Sequence, residues 1–264
     1  MTVVLERSRE LIYPESDGQP MADNSRQFLW ITVLYGNLAA LFRDDPNVFV
    51  CGNQNWFPRE GEPDYCKAPD VYVVFGRPKG HRGSWKQWEE GDVPLTVVFE
   101  ILSPANSAIE MAKKLAFYDE NGVEEYYLYD PDKNQLAVYV RGQMALRLIW
   151  FVGSFVSPRL GIRFDLTGPE MRVFYPDGRP FLSFEELEAQ RLAEEQKRLA
   201  AEQALQSEAE RRLAAEQKRL AAEQKLQSAE RIMARVAELT AKLLRQEATP
   251  EELAELQRLT RQTP

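Results

Sequence analysis

Leu95-Thr96-Val97-Val98-Phe99-Glu100-Ile101-Leu102-Ser103 is an apolar run of strand length, rich in β-branched and aromatic residues, with one carboxylate near its end. A carboxylate in such a run is costly to bury unless it is paired or holds a metal. Upstream, Pro69-Asp70-Val71-Tyr72-Val73-Val74-Phe75 repeats the pattern with the acid at the strand start. Two half-buried carboxylates at strand ends point to a divalent-cation site. Each also has a plainer reading: Asp70 can cap a turn after proline, and Glu100 can sit in a structural salt bridge.

Around these two runs the periodicity alternates between helix and strand. Phe28, Ile31, Leu34, Leu38, Leu41 and Phe42 recur every three or four residues, which predicts an amphipathic helix. Apolar strands are expected at 47–51, 71–75 and 95–102, then a helix at about 105–120 that stops before Asn121-Gly122. Glu125 to Tyr129, Gln135 to Val140 and Leu146 to Val152 read as further strands, the first two joined by the turn residues Asp130-Pro131-Asp132-Lys133-Asn134. This order implies an α/β domain around a mixed sheet.

Composition sets the limits. Of 264 residues, 33 are basic and 41 acidic, and 44% are hydrophobic, as expected of a globular and mildly acidic protein. No run of about 18 apolar residues offers a membrane span. The opening Met1-Thr2-Val3-Val4-Leu5-Glu6-Arg7 lacks the apolar core of a secretory signal, so the expected location is the cytoplasm. Cys51 and Cys66 form no Cys-x-x-Cys pair, and the lone His81 argues against a catalytic triad or a histidine-rich metal site.

Every aromatic residue and every glycine lies at or before Phe184, and the rest is mostly Ala, Glu, Gln, Lys, Arg and Leu. The expected organisation is a domain over 1–184, a long helix over 185–246, and a short capped helix with tail over 247–264. Arg191 to Gln203 recurs as Arg212 to Gln224, an offset of three heptads. Leu192, Leu199, Leu213 and Leu220 therefore share one heptad position, while the partner position carries Gln, Glu or Ala until Ile232, Val236, Leu239 and Leu243 restore the four-three spacing. Two readings stay open: a coiled coil that improves toward its C-terminal end, or a single solvated helix held by Glu to Lys or Arg pairs. Thr249-Pro250-Glu251-Glu252 has the form of a capping box with proline at the first helical position.

The acidic strands are followed by a helix carrying Glu110, Lys113 and Lys114. Mg²⁺ takes oxygen ligands from one or two carboxylates plus substrate phosphate, and a nearby lysine can stabilise the same developing charge. Glu110 and Lys114, four apart, share one helical face, which suits an ordering ion pair or an active-site rim. A lysine on a helix can equally be only solvated.

Ala68 to Phe75, Val97 to Ser103, Lys113-Lys114-Leu115-Ala116-Phe117-Tyr118 and Gly122 to Pro131, with the opening Asp17-Gly18-Gln19-Pro20-Met21, resemble the putative restriction endonuclease family, a branch of the PD-(D/E)XK nuclease superfamily. The resemblance covers about residues 13–150 and implies a restriction-endonuclease-like mixed sheet flanked by helices. It implies Asp70 and Glu100 as metal ligands and Lys114 as the catalytic lysine; the expected ion is Mg²⁺ or Mn²⁺, and Glu110 and Lys113 on the same helix are the candidate supporting residues. Where the superfamily pattern has a lysine two residues after the acidic strand residue, this chain has Leu102. The resemblance supplies the lysine from the next helix, with Lys113 the competitor of Lys114.

The expected activity is metal-dependent endonucleolytic hydrolysis of nucleic acid, with DNA as the expected polymer. Arg77, Lys79, Arg82 and Lys86, with Trp85 and Trp88 for stacking, form the candidate nucleic-acid contact; a solvated basic loop is the plain alternative. The segment 1–184 carries 19 basic and 25 acidic side chains, so any contact must be local. The helix over 185–246 is the candidate surface for a homodimer or a protein partner. A catalytically degenerate nuclease fold, acting as a binding or scaffold module through that helix, is the alternative function.

Overall fold

The run containing Glu100 becomes a central strand of a six-stranded sheet in the computed structural model, which describes residues 11–16, 18 and 20–262. In chain order the elements are α1 (Ser25–Leu41), β1 (Val48–Cys51), β2 (Trp56–Phe57), β3 (Val71–Phe75), β4 (Trp85–Lys86), β5 (Val97–Ile101), α2 (Ala108–Glu120), β6 (Glu125–Asp130), β7 (Gln135–Arg141), β8 (Leu146–Ile149), β9 (Ser154–Val156), β10 (Arg163–Asp165), β11 (Arg172–Phe174), α3 (Phe184–Leu244) and α4 (Pro250–Gln262). The sheet order is β1-β3-β5-β6-β7-β8. Within this sheet β5 and β6 run parallel, joined through α2, and the other neighbours are antiparallel.

Alternation along the central strands builds two cores. Val71, Val73, Val97, Phe99 and Ile101 face α1, whose Trp30, Ile31, Leu34 and Leu38 pack on them, and Phe164, Val173 and Phe181 from the C-terminal part of this unit close the same layer. Tyr72, Val74 and Val98 face the other way, toward Phe117 and Tyr118 of α2, with Trp56 and Trp85 beneath. The mixed α/β fold is therefore a sheet covered by a helix on each face and followed by a long helix. Sequence periodicity did not disclose the short strands β9, β10 and β11, which form a second sheet. The expected strand through Val152 stops at Ile149, and Gly153 in the left-handed region turns the chain there.

Two compact units divide the chain, Met1–Ala189 and Gln190–Pro264. In the second, the capping box opens α4: the Thr249 hydroxyl accepts from the Glu252 amide at 3.3 Å, and the Glu252 carboxylate accepts from the Thr249 amide at 2.9 Å. Among the described residues no helix is long and apolar enough to cross a membrane.

Candidate active site

β3 and β5 pair antiparallel with Val71 opposite Phe99, so the same register carries Asp70 and Glu100 to facing positions where β3 begins and β5 ends. The Ile101 amide donates to Asp70 Oδ2 at 2.7 Å. Its carbonyl accepts from Gln27 Nε2 of α1 at 2.9 Å, which ties the helix to the end of β5. Gly52 allows the exit of β1 to lie against this point: a Cβ there would collide with the Asp70 carbonyl oxygen.

Glu100 is 2% exposed and shares the sheet face of Val98, toward α2. That helix starts at Ser107, whose hydroxyl accepts from the Glu110 amide at 3.1 Å, and stops at Asn121-Gly122, with Gly122 at φ 88°. Lys114 and Tyr118, one turn apart, reach the two oxygens of Glu100 separately. Lys114 Nζ donates to Oε2 at 2.8 Å, and the Tyr118 hydroxyl donates to Oε1.

Burial pushes the Asp70 carboxyl up, and the neighbouring Glu100 charge adds to this, bringing it to about 8 against the Ile101 amide and Lys114. Burial works against the Lys114 ammonium, yet the charge and hydrogen bond of Glu100 outweigh it and hold the amine above its ordinary value. Burial and the Glu100 charge also keep the Tyr118 hydroxyl protonated, hence a donor. With Lys114 bonded to Glu100, the Asp70 carboxyl has no cation of its own among the described residues and holds its proton at neutral pH. An all-oxygen donor pair fits a hard divalent cation. Among the described residues no group of three or more His, Cys, Asp or Glu converges.

The three residues border a cleft of about 410 Å³ that Asp23, Glu110 and Lys67 also line. Glu110 is half-buried and accepts from Asn106 Nδ2 at 3.4 Å. Lys113 is exposed and lies off the cleft, so Lys114 is the lysine that meets Glu100. Met21 lines the cleft, while Asp17 and Gln19 of the opening motif, like residues 1–10, lie outside the described residues.

The basic loop lies elsewhere. Arg77 and Arg82 both pair with Glu90, at 2.9 and 2.5 Å, Lys86 pairs with Glu89, and Lys79 donates to the carbonyls of Phe42 and Arg43. Trp85 corrects its expected role, since it is fully buried in the core and cannot stack on a ligand. Sequence reasoning missed Gln27 and Lys67. Gln27 had a signal, because it is a polar residue in phase with the buried stripe Ile31, Leu34 and Leu38. Lys67, brought to the cleft by its bridge to Trp56, had none.

Residues 6–169 match the family described as Uma2, putative restriction endonuclease. No curated protein matches the chain. Among solved structures, a putative nuclease belonging to DUF820 from Anabaena variabilis ATCC 29413 is similar at 14% identity with a TM-score of 0.36, over 51% of this chain and 72% of that one. The family match spans more than half of the sequence, and the chain belongs to the Uma2 family of putative restriction endonucleases.

Proposed function

We propose that this chain is a metal-dependent endonuclease that hydrolyses phosphodiester bonds in nucleic acid, with DNA as the polymer. One observation carries the reading: Asp70 and Glu100 face each other across β3 and β5 while Lys114 holds Glu100 from α2. Asp70 and Glu100 are the residues to hold Mg²⁺ or Mn²⁺, and an ion held there supplies Lewis-acid stabilisation of the phosphate charge. The Ile101 amide fixes one oxygen of Asp70, and Tyr118 and Lys114 fix the rotamer of Glu100. Lys114, kept protonated, offers positive charge to a phosphate oxygen rather than acting as a base.

The test is incubation of the purified chain with plasmid and with single-stranded DNA in Mg²⁺, in Mn²⁺ and in EDTA, beside Asp70→Ala and Lys114→Ala. Metal-dependent cutting is expected, reduced at least about a hundredfold in both variants. Equal cutting by wild type and variants would place the chemistry elsewhere.

A second reading drops the hydrolysis and keeps the fold as a binding or scaffold module. Leu102 in the usual lysine position and the acidic balance of the segment 1–184 favour it, and it expects no metal-dependent cutting at all. In either reading the tail has its own role. Leu192, Leu199, Leu213 and Leu220 stand exposed along α3, and we assign this stripe to pairing with a second copy as a coiled coil.

A further inference from the structure

A second, mostly apolar groove of about 280 Å³ opens beside the acidic cleft and shares Met21, Asn53 and Asp70 with it. Its far wall is the outer side of α1, where Phe28 and Tyr35 stand two turns apart on one face, 49% and 45% exposed. The core stripe of α1 runs through Trp30, Ile31, Leu34 and Leu38, so packing does not require aromatic rings at these positions. The floor is the exit of β1 at Cys51 and Gly52, which lies directly against the backbone of Asp70.

We propose that this groove takes an unpaired nucleobase next to the scissile phosphate, stacked against Phe28 or Tyr35, so that the preferred substrate is nucleic acid with unstacked bases and not continuous duplex. The inference rests on the nuclease reading of Asp70 and adds a substrate class to it. Three observations carry it. The groove meets the cleft at Asp70, so a chain whose phosphate lies at the carboxylates can lay its neighbouring nucleotide on this wall. Aromatic faces beside a phosphate site suit single strands, because every base has a π-face to stack. The segment 1–184 carries an excess of acid, so affinity from phosphate contacts is low and stacking must supply a larger share.

The test uses the full-length chain and an oligonucleotide containing 2-aminopurine, as a single strand and annealed to its complement. Fluorescence titration with Ca²⁺ in place of Mg²⁺ reads binding, and cleavage in Mg²⁺ reads KM and kcat. Phe28→Ala and Tyr35→Ala are expected to weaken single-strand binding about tenfold and to raise KM by the same factor with kcat little changed. Phe28→Tyr and Tyr35→Phe keep a ring and should bind as wild type does. The duplex should bind at least about tenfold more weakly than the single strand.

Wild-type affinity in both alanine variants, or equal affinity for duplex and single strand, overturns the groove. If wild type cleaves while both alanine variants keep its KM, the nuclease stands and the groove falls. Ring-dependent binding without any cleavage leaves the groove standing and removes the hydrolysis. Absence of binding by the wild type counts against both. Melting curves of the variants exclude a folding defect, and because both rings are half in solvent these should overlay the wild type.

Discussion

Two buried carboxylates on neighbouring strands, Glu100 and Glu125, are satisfied in opposite ways. Glu125 accepts from the Tyr127 hydroxyl and the Arg159 amide, each at 2.7 Å, and from Ser157 Oγ, all of them neutral donors that pin the loop after β9 to the sheet. It is a clamp without chemistry. Glu125→Ala, which strands those donors, should cost about 3 kcal/mol of stability in urea titrations and leave the cleavage rate per folded molecule unchanged. A change below about 0.5 kcal/mol would deny the clamp. Glu100 instead holds Lys114 and faces Asp70, and that environment makes the site sensitive to pH. The metal-free fold raises Asp70 from an ordinary 3.8 to about 8, so between those values the native state binds more protons than the unfolded one. Stability of the metal-free protein must then fall as pH rises through that window. Thermal melting in EDTA should show this decline for the wild type and a flatter profile for Asp70→Asn. On the proposed assignment of Asp70 as a Mg²⁺ ligand, its carboxyl would have to give up that proton to bind the ion, so calorimetry near pH 7 in buffers of different ionisation enthalpy should detect proton release on binding. Identical profiles for the two proteins would assign the pH dependence to another group.

At the level of elements, legibility followed length and apolar contrast. The runs that became β3, β5 and β6 are continuous and apolar, α2 carries Ser107 at one end and Asn121-Gly122 at the other, and each was readable for those reasons. The small sheet was not, because its strands are too short to establish a period, and neither were the still shorter β2 and β4. The acidic pair was legible as chemistry and only partly as geometry. Asp70 and Glu100 are far apart along the chain, and the intervening sequence does not state the register that sets them face to face. Lys113 and Lys114 differ by one step, about 100° around the helix, and the packing of Tyr118 and Phe117 against the sheet decides which lysine meets Glu100. Gln27 makes the same point in reverse. A lone polar residue on an apolar stripe was visible, but its acceptor is a backbone carbonyl that no sequence pattern reveals.

At the scale of the whole chain, the tail turns on how α3 uses its leucines. The four-three seam that the sequence placed at its C-terminal end lies where α4 meets α3: Leu239 is 1% exposed, Arg235 pairs with Glu255 at 2.9 Å, and Lys242 pairs with Glu252 at 2.7 Å. Those pairs are half in solvent and contribute little by themselves. The leucine is the anchor. Upstream the stripe carries leucine at 192, 199, 213 and 220, with Gln206 at the intervening heptad position, and the helix leaves each leucine about half exposed. A seam with Gln, Glu or Ala at every alternate position gives weak pairing, because a stable two-stranded coil needs apolar side chains at both. Self-association should therefore be reversible and concentration-dependent. Sedimentation of the full chain is expected to show monomer at low concentration and dimer at high, with the combined Leu199→Glu and Leu213→Glu substitutions holding the protein monomeric throughout. Both substitutions lie on the exposed stripe, so the melting of the first unit should not move. A single monomer mass for the full chain at every concentration would leave α3 as a solvated helix, stabilised along its length by pairs such as Arg212 with Glu208 at 2.5 Å.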